Sequence, residues 1–311
     1  MFACAISALS GQVQAFDLQG HRGARGLFPE NTLAGFKATM QLGVTTLETD
    51  LAVTSDGVVV ISHDPALNLD LTRTADGKWL PQTGPPIQSL TRDELRQYDI
   101  GRVNPDSRYG KQWPEQKPVD GERFPTLADL FALGGTKVRY NIEIKIDPGK
   151  PGLTPQPAAF AALVAAEIRK AGMTRRTQVQ SFDWRAVIEM KKQAAEIETA
   201  CLSIEGPNFD TVRRAGGGPS PWMGGINLAD HGGSLPRAVK AAGCSTWSPF
   251  WRNATAEQVA EAQTLGLKVI PWTVNDPAEM GRLIDLKVDG LITDYPNRAL
   301  QVLKAKGMKL Q

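Results

Sequence analysis

The sequence predicts an α/β fold, namely a (β/α)₈ TIM barrel with a small insertion subdomain after the second strand. Eight strand–helix units succeed one another along the 311 residues, and such alternation is typical of parallel βαβ units. No glycine-rich phosphate fingerprint follows any strand, whereas a doubly wound open sheet usually carries one. Residues from about 64 to 125 lack strong periodicity and are punctuated by Pro, Gly, Asp and Gln, which indicates an inserted lid or subdomain.

The predicted barrel strands are short segments bounded by turn residues. They cover 16–20, the first half of a hairpin at 47–64, 138–145, 178–181, 198–203, 245–248, 268–274 and 290–293. The second strand returns through Ser55-Asp56-Gly57, whose glycine tolerates the positive φ of a tight hairpin turn. The stretch 208–233 is rich in Gly and Pro, and its weakly strand-like part, 224–228, is left out of the count.

Helix signals lie between these strands. A cap at Asn31-Thr32 predicts the first helix at 33–42. Thr91 and Glu94 predict a capping box for a short helix at 91–97 inside the insertion. The remaining helices are predicted at 156–171, 183–193, 235–242, 255–265, 277–285 and 297–304.

Composition and charge exclude several classes of protein. Apolar residues make up 41% and charged residues 22% of the chain, as in ordinary soluble enzymes. Lys and Arg number 35 against 33 Asp and Glu, and this small excess of positive charge predicts no nucleic-acid partner. No apolar run is long enough to form a transmembrane segment. These features give no indication of oligomeric state.

The first fifteen residues resemble a secretory leader. An apolar run at 2–9 precedes Val13-Gln14-Ala15, a signal-peptidase-like site, although the usual positive charge at the start is missing. We expect cleavage after Ala15, a single mature domain at 16–311, and a periplasmic or secreted protein; without a leader it would be cytoplasmic. Loss of Cys4 would leave Cys201 and Cys244, which form either a disulfide or two buried thiols.

Chemically reactive side chains recur where the predicted strands end. Glu48 and Asp50 are two residues apart on the second strand, so they point to one face, and the return strand delivers His63 beside them. Other strand ends carry His21, Arg22, Glu143, Lys145, Gln180, Trp247, Trp272, Asn275 and Asp294. Because barrel enzymes carry their active sites at the carboxyl ends of the strands, we expect a common cavity there.

The residue types at these ends predict a reaction class. Glu48, Asp50 and Glu143 form a hard oxygen site that suits one divalent cation, Mg²⁺ or Ca²⁺. Arg22 and Lys145 add positive charge, which favours an anionic ligand such as phosphate. The two histidines at these strand ends, His21 and His63, can remove a proton from a nucleophile and give one to a leaving group. The chemistry that fits is phosphodiester cleavage.

Other interpretations of single residues stay open at this point. Glu143 and Lys145 could form a structural ion pair inside the barrel. Asp294 is expected to end the last strand and cap the final helix, and His231 is expected to be a loop histidine. Trp272 could belong to the core, although aromatic side chains at a barrel mouth often contact the apolar part of a ligand.

Eight short segments together resemble the glycerophosphodiester phosphodiesterases, a family of the phospholipase-C-like phosphodiesterase superfamily. They are His21-Arg22-Gly23, Pro29-Glu30-Asn31-Thr32, Glu48-Thr49-Asp50, Asp56-Gly57 through His63-Asp64, Asn141-Ile142-Glu143-Ile144-Lys145, Gln180-Ser181-Phe182, Trp272-Thr273-Val274-Asn275, and Asp289-Gly290 through Asp294-Tyr295-Pro296. They occur in the family's order over nearly the whole chain. Any one segment is weak evidence, but the set is specific.

The resemblance implies the barrel with its insertion and a full set of site residues. These are His21 and His63 as the catalytic acid–base pair, Glu48, Asp50 and Glu143 as metal ligands, and Arg22, Lys145, Gln180 and Trp272 around the substrate and its phosphate. The family hydrolyses glycerophosphodiesters (deacylated phospholipids) to glycerol 3-phosphate and an alcohol, with Mg²⁺ or Ca²⁺, by direct water attack or through a cyclic glycerol phosphate. Two alternatives are a sphingomyelinase D-like lipid hydrolase of the same superfamily and a non-catalytic glycerophosphodiester-binding barrel.

Overall fold

Eight parallel strands form a nearly closed barrel, which confirms the predicted fold class. The computed structural model describes residues 16–216, 218–308 and 310, so the predicted leader lies outside the described residues. The strands are β1 (Asp17–Gly20), β2 (Thr46–Val53), β3 (Val59–Ile61), β4 (Arg139–Ile144), β5 (Thr177–Ser181), β6 (Glu198–Ser203), β7 (Thr246–Pro249), β8 (Lys268–Val269) and β9 (Gly290–Thr293). Their order around the barrel is β8-β7-β6-β5-β4-β2-β1-β9, and β3 pairs antiparallel with β2 as the predicted hairpin.

The strand β8 is shorter than the predicted 268–274, because Pro271 has no N–H to donate to a ladder. Backbone hydrogen bonds nevertheless continue past it on both sides. Ile292 N donates to the carbonyl of Pro271 at 3.0 Å, and Val274 N donates to the carbonyl of Ile292 at 2.9 Å. These bonds join the segment after β8 to β9 and bring the two ends of the sheet together.

Nine α-helices surround the barrel or lie in the insertion of the described chain. They are α1 (Leu33–Leu42), α2 (Arg92–Leu95), α3 (Leu127–Gly134), α4 (Pro157–Lys170), α5 (Trp184–Gln193), α6 (Leu235–Ala241), α7 (Ala256–Thr264), α8 (Pro277–Asp285) and α9 (Pro296–Ala305). The Thr32 side chain caps α1 by accepting from Gly35 N, and the predicted capping box of Thr91 and Glu94 starts α2. Within the described residues, no helix has the length and apolar character that crossing a bilayer requires.

The helix α3 was missed by sequence reasoning. It has a capping box of its own, since the Thr126 side chain accepts from Asp129 N and the Asp129 carboxylate accepts from Thr126 N. The helix follows directly on the irregular insertion, and its eight residues are too few for a clear periodic pattern. The weakly strand-like 224–228 is not a strand, because Gly224 and Gly225 both adopt positive φ.

The insertion has its own small hydrophobic core on the β2–β3 hairpin. That core consists of Ala52, Val60, Leu67, Ile87, Leu95, Ile100 and Phe124. Its first two members belong to the hairpin and the other five to the segment between β3 and α3. The larger core lies between the outer face of the barrel and the helices, where Phe36, Phe160 and Trp184 are fully buried.

A disulfide joins Cys201 on β6 to Cys244, two residues before β7. The two Cα atoms are 5.9 Å apart, the cysteines are separated by 43 positions, and both are buried. Of the two alternatives that the sequence left open, the structure therefore has the bonded pair.

Candidate active site

A cavity of about 130 Å³ opens at the carboxyl ends of the barrel strands. Eight of the nine site residues expected from the sequence line it, namely His21, Arg22, Glu48, His63, Glu143, Lys145, Gln180 and Trp272. The ninth, Asp50, lies against Arg22 and Lys145 of this lining. The fold thus brings the whole expected set to one place. The third histidine, His231, lies away from the cavity in a short turn at Leu228–His231.

Three buried carboxylates form the centre of the site. One oxygen each of Glu48, Asp50 and Glu143 lies within 4.8 Å of the others, because strand alternation puts the first two on one face of β2 and Glu143 is the register partner of Asp50 on β4. Burial and the neighbouring Asp50 raise the pKa of Glu48 well above its ordinary value, and burial also raises the pKa of Glu143 to about 7. Burial opposes ionisation of Asp50 too, but Arg22, His63 and Lys145 hold its pKa below its usual range.

The carboxylate cluster has the chemistry of a divalent cation site. Four buried carboxylates lie together here, the three above and Glu30, beside the two cationic side chains of Arg22 and Lys145. Glu30, Asp50 and Glu143 form ion pairs with these cations, whereas Glu48 accepts from the backbone N–H of Arg22. Burial, with a smaller contribution from the charge of Asp50, raises the pKa of Glu48 and of Glu143, and a bound divalent cation would balance the negative charge of the cluster. Hard oxygen ligands of this kind suit Mg²⁺ or Ca²⁺. The residues present therefore fit the expected ion.

The turn after β1 directs a backbone N–H at this cluster. Arg22, Gly23 and Ala24 have φ of 50°, 70° and 58°, a left-handed run that is costly for the two residues with a Cβ. In this conformation Arg22 N donates to Glu48 Oε2 at 2.9 Å. The Arg22 guanidinium meanwhile binds Glu30 at 2.9 Å and lies 3.2 Å from Asp50 Oδ2.

His21 is held by a carboxylate from the last barrel strand. Its Nδ1 lies 2.6 Å from Asp294 Oδ1, which leaves Nε2 on the side of Glu48, 3.9 Å from Oε2. Arg25 Nε and Asn275 Nδ2 also donate to Asp294, at 2.8 and 2.7 Å. Burial lowers the pKa of His21 to about 4 even though Asp294 favours the charged imidazole.

The expected capping role of Asp294 is wrong. The α9 N-cap is Tyr295, which makes no side-chain capping bond, and the Asp294 carboxylate faces the site instead. The reason is charge, because Arg25 and the His21 ring bind this buried carboxylate more strongly than the backbone N–H groups at the start of α9 would.

His63 has a similar partner on the opposite side of the cavity. Its Nδ1 lies 2.9 Å from Asp64 Oδ1, and Asn68 Nδ2 donates to the other Asp64 oxygen at 2.6 Å. Despite burial, these contacts lower the pKa of Asp64 to about 2, so the carboxylate is ionised. Each imidazole thus has a carboxylate at Nδ1, and no hydrogen bond from the described residues occupies its Nε2.

The remaining expected residues form the walls. Lys145 Nζ lies 3.1 Å from Glu143 Oε1 and 3.7 Å from Asp50 Oδ1, and Gln180 Nε2 donates to Glu48 Oε1 at 2.8 Å. Trp272 packs edge-to-face on Phe182, with ring centroids 5.1 Å apart. Trp247, in contrast, is fully buried and belongs to the core.

Several supporting residues escaped sequence reasoning. Asn31 was interpreted as part of a helix cap, but its side chain donates to Asp50 Oδ2 at 3.1 Å and accepts from Thr49 Oγ1 at 2.9 Å. Tyr109 of the insertion contacts Glu30 and Arg25. Asn31 has a φ of 57°, a conformation that asparagine tolerates better than most residues, so its residue type indicates a special backbone position. No sequence pattern indicates that Tyr109 reaches the site.

Comparison with known proteins identifies the family. The model of the glycerophosphoryl diester phosphodiesterase family matches residues 21–298. The chain belongs to this family. Similar family proteins include a glycerophosphodiester phosphodiesterase of Caldanaerobacter subterraneus subsp. tengcongensis, 28% identical over 92% of this chain and 97% of that protein. One of Bacillus subtilis is 26% identical over 91% of this chain and 85% of that protein.

Solved structures agree with this family assignment. A Silicibacter pomeroyi protein, itself assigned to the glycerophosphoryl diester phosphodiesterases, is 35% identical with a TM-score of 0.85 and 96% coverage of both chains. An Oleispira antarctica phosphodiesterase, solved with the product sn-glycerol-3-phosphate, has a TM-score of 0.67 at 22% identity and covers 93% of this chain and 97% of that one. The second comparison supports the shared fold.

Proposed function

We propose that this family member hydrolyses glycerophosphodiesters to glycerol 3-phosphate and an alcohol, with one divalent cation and with His21 and His63 as the acid–base pair. The observation that carries the proposal is that both imidazoles line one cavity together with Glu48, Glu143 and Lys145. The named activity of the Caldanaerobacter and Bacillus relatives, and the product found in the Oleispira structure, support the substrate class.

The cation would be held by Glu48, Asp50 and Glu143. When bound, it would neutralise charge on the phosphoryl oxygens and lower the barrier to attack at phosphorus. Lys145, at the edge of the cluster, would add a positive charge on the same side of the phosphate. Mg²⁺ and Ca²⁺ both prefer such oxygen ligands, and adding each ion back after chelation distinguishes them.

The two histidines would move protons at Nε2. Asp294 and Asp64 would each accept from Nδ1–H. This contact favours the neutral tautomer in which Nδ1 carries the proton and Nε2 carries none. One neutral imidazole would take the proton of the attacking hydroxyl on its Nε2. The other would enter the step as an imidazolium, with a second proton on Nε2, and would give that proton to the departing alkoxide. The attacking hydroxyl is that of water, or that of the glycerol itself if a cyclic phosphate forms.

The aromatic side of the cavity would contact the apolar part of the substrate. Trp272 and Phe182 line the cavity, and Phe209, one of the exposed large apolar side chains, packs edge-to-face on Phe182 at 5.7 Å. Arg22, which is already bound to Glu30 and Asp50, would contribute mainly through its charge near the phosphate.

We also propose that the protein is exported. A leader at 1–15 would direct it to a periplasm-like space, and the buried Cys201–Cys244 disulfide supports an oxidising compartment, where such bonds persist. In this proposal residues 16–311 form one mature domain that carries the insertion at about 64–125.

A coupled assay for glycerol 3-phosphate release tests the activity. The purified protein would be incubated with glycerophosphocholine, glycerophosphoethanolamine and glycerophosphoglycerol, and separately with sphingomyelin, before and after chelation. We expect release from the glycerophosphodiesters, loss with chelator, and recovery with Mg²⁺ or Ca²⁺. Turnover of sphingomyelin alone would favour the lipid hydrolase, and tight binding without turnover would favour the binding barrel.

A further inference from the structure

The barrel interior holds a chain of hydrogen-bonded amides that ends on the carboxylate cluster. Asn141 Nδ2 donates to Gln180 Oε1 at 2.9 Å, and Gln180 Nε2 donates to Glu48 Oε1 at 2.8 Å. In the other direction Asn141 Nδ2 donates to Gln19 Oε1 at 2.8 Å, and Gln19 Nε2 donates to Asp17 Oδ2 at 2.7 Å. Barrel interiors are usually filled by branched apolar side chains, so this polar chain requires an explanation.

The two terminal carboxylates determine which way each amide points. An ionised carboxylate only accepts, and Glu48 is ionised whenever it holds a cation, so Gln180 must then turn its NH₂ to Glu48 and its oxygen to Asn141. Gln19 must likewise turn its NH₂ to Asp17 and its oxygen to Asn141. Gln180 and Gln19 therefore both present an oxygen to Asn141, and the Asn141 NH₂ donates one hydrogen to each.

The same arrangement leaves the side-chain oxygen of Asn141 without a hydrogen bond in the described structure. Asn141 is 2% exposed, and its Oδ1 has no hydrogen-bond partner among the described residues. An amide that only filled space could turn to satisfy its oxygen. Here the two hydrogen bonds that Asn141 donates to Gln180 and Gln19 outweigh the cost of leaving its buried oxygen without a partner.

We propose that Asn141, acting through Gln180, positions Glu48 for the divalent cation; this inference rests on the proposed metal site. The two Glu48 oxygens are held by different partners, Oε1 by Gln180 and Oε2 by Arg22 N at 2.9 Å. Together they fix the plane of the carboxylate before the cation arrives. Asn141 contacts neither the cavity nor the cluster oxygens, so it is a positioning residue.

The strand β5 supplies a matched control. Gln178 and Gln180 are both buried amides of β5, two residues apart and therefore on one face. Gln178 Nε2 donates to Thr246 Oγ1 at 2.8 Å, and no hydrogen bond in the described structure joins it to the chain that reaches Glu48. Replacing either by Met, which has a similar volume, removes one buried amide, but only Gln180→Met disconnects Glu48.

The test is a calorimetric titration of the substrate-free protein with Mn²⁺, accompanied by thermal unfolding. We expect Gln180→Met to weaken cation affinity by about 10- to 100-fold and Asn141→Leu by about 3- to 10-fold, while Gln178→Met stays within about twofold of wild type. Asn141→Asp keeps the size of the side chain but presents oxygens to both Gln19 and Gln180, so it should also weaken cation binding. This variant replaces Asn141→Leu in the test if the leucine variant fails to fold.

Different failures are distinguishable in this experiment. Wild-type affinity in both Asn141 variants would overturn the positioning chain while leaving the metal site intact. Equal losses in Gln178→Met and Gln180→Met would overturn it as well, because the amides would then act only through packing. A wild-type protein that binds no Mn²⁺, Mg²⁺ or Ca²⁺ would overturn the proposed metal site and this inference together.

Discussion

His21 and Asp294 are 273 residues apart in the chain, and their side chains meet at 2.6 Å inside the barrel. The contact joins the turn after β1 to the end of β9, the first and last strands of the barrel in the chain, which pair in parallel. Asp294 is buried and also accepts from Arg25 and Asn275, so its position is fixed by three donors. The orientation of His21 therefore depends on a residue outside the proposed acid–base pair.

Replacing Asp294 by Asn should reduce activity without removing any group that touches substrate. The amide can donate to Nδ1, which would favour the tautomer with its proton on Nε2 and disable His21 as a base. We expect kcat to fall by about 100-fold or more with a smaller change in KM. Steady-state kinetics and circular dichroism measure this, and a folded variant with wild-type kcat would refute the orienting role.

The histidines themselves provide an internally controlled comparison. His21→Ala and His63→Ala should each lower kcat by about two orders of magnitude or more, because each removes one proton-transfer group. His231→Ala removes the third histidine, which lies outside the cavity, and should leave kcat unchanged. The prediction fails if His231→Ala is as damaging as the other two, or if either site variant turns over at the wild-type rate.

Divalent cations should stabilise the folded protein as well as activate the proposed hydrolysis. A cation that binds the folded state alone raises the melting temperature, and among Glu48, Asp50 and Glu143 it would also relieve repulsion. We expect Mg²⁺ or Ca²⁺ at about 100 times its dissociation constant to add about 2.7 kcal/mol. Glu143→Gln should remove most of the shift in a thermal scan; an equal shift in that variant would place the cation elsewhere.

Loss of the disulfide should destabilise the barrel strongly. The pair closes a loop of 43 positions between β6 and β7, and cross-links over such loops contribute about 2–4 kcal/mol. The Cys201→Ala/Cys244→Ala double variant should therefore unfold at lower urea concentration than the oxidised wild type. Reduced wild type should move toward the variant's midpoint; identical midpoints for oxidised protein and double variant would contradict the contribution.

Much of the site was predictable because it follows the period of a strand. Glu48 with Asp50 and Glu143 with Lys145 are spaced by two, and parallel strands place such pairs at one end of a barrel. The partners of these residues were less accessible. Asp294, Asn31 and the insertion's Tyr109 meet the site through long-range packing, and single-sequence patterns carry no information on which distant side chains will touch.

Local signals also competed with one another. Pro271 interrupts the regular ladder of a segment whose pattern predicts one long strand, so β8 ends at Val269. The helix α3 has only eight residues, too few to give a clear periodic pattern after an irregular insertion. Gln180 was placed correctly at a strand end, but its NH₂ is occupied by Glu48. A residue's position at the site was therefore easier to predict than the partner of each of its atoms.

The hairpin of β2 and β3 carries Glu48 and Asp50 on one arm and leads to His63 at the end of the other, and its Ala52 and Val60 also anchor the insertion's core. Exchanging the insertion for that of a relative, in order to alter headgroup selectivity, would therefore change the packing against the same backbone that carries the proposed metal ligands. A transplant that kept Ala52 and Val60 and matched the volume of their five apolar neighbours would have the best prospect of remaining active.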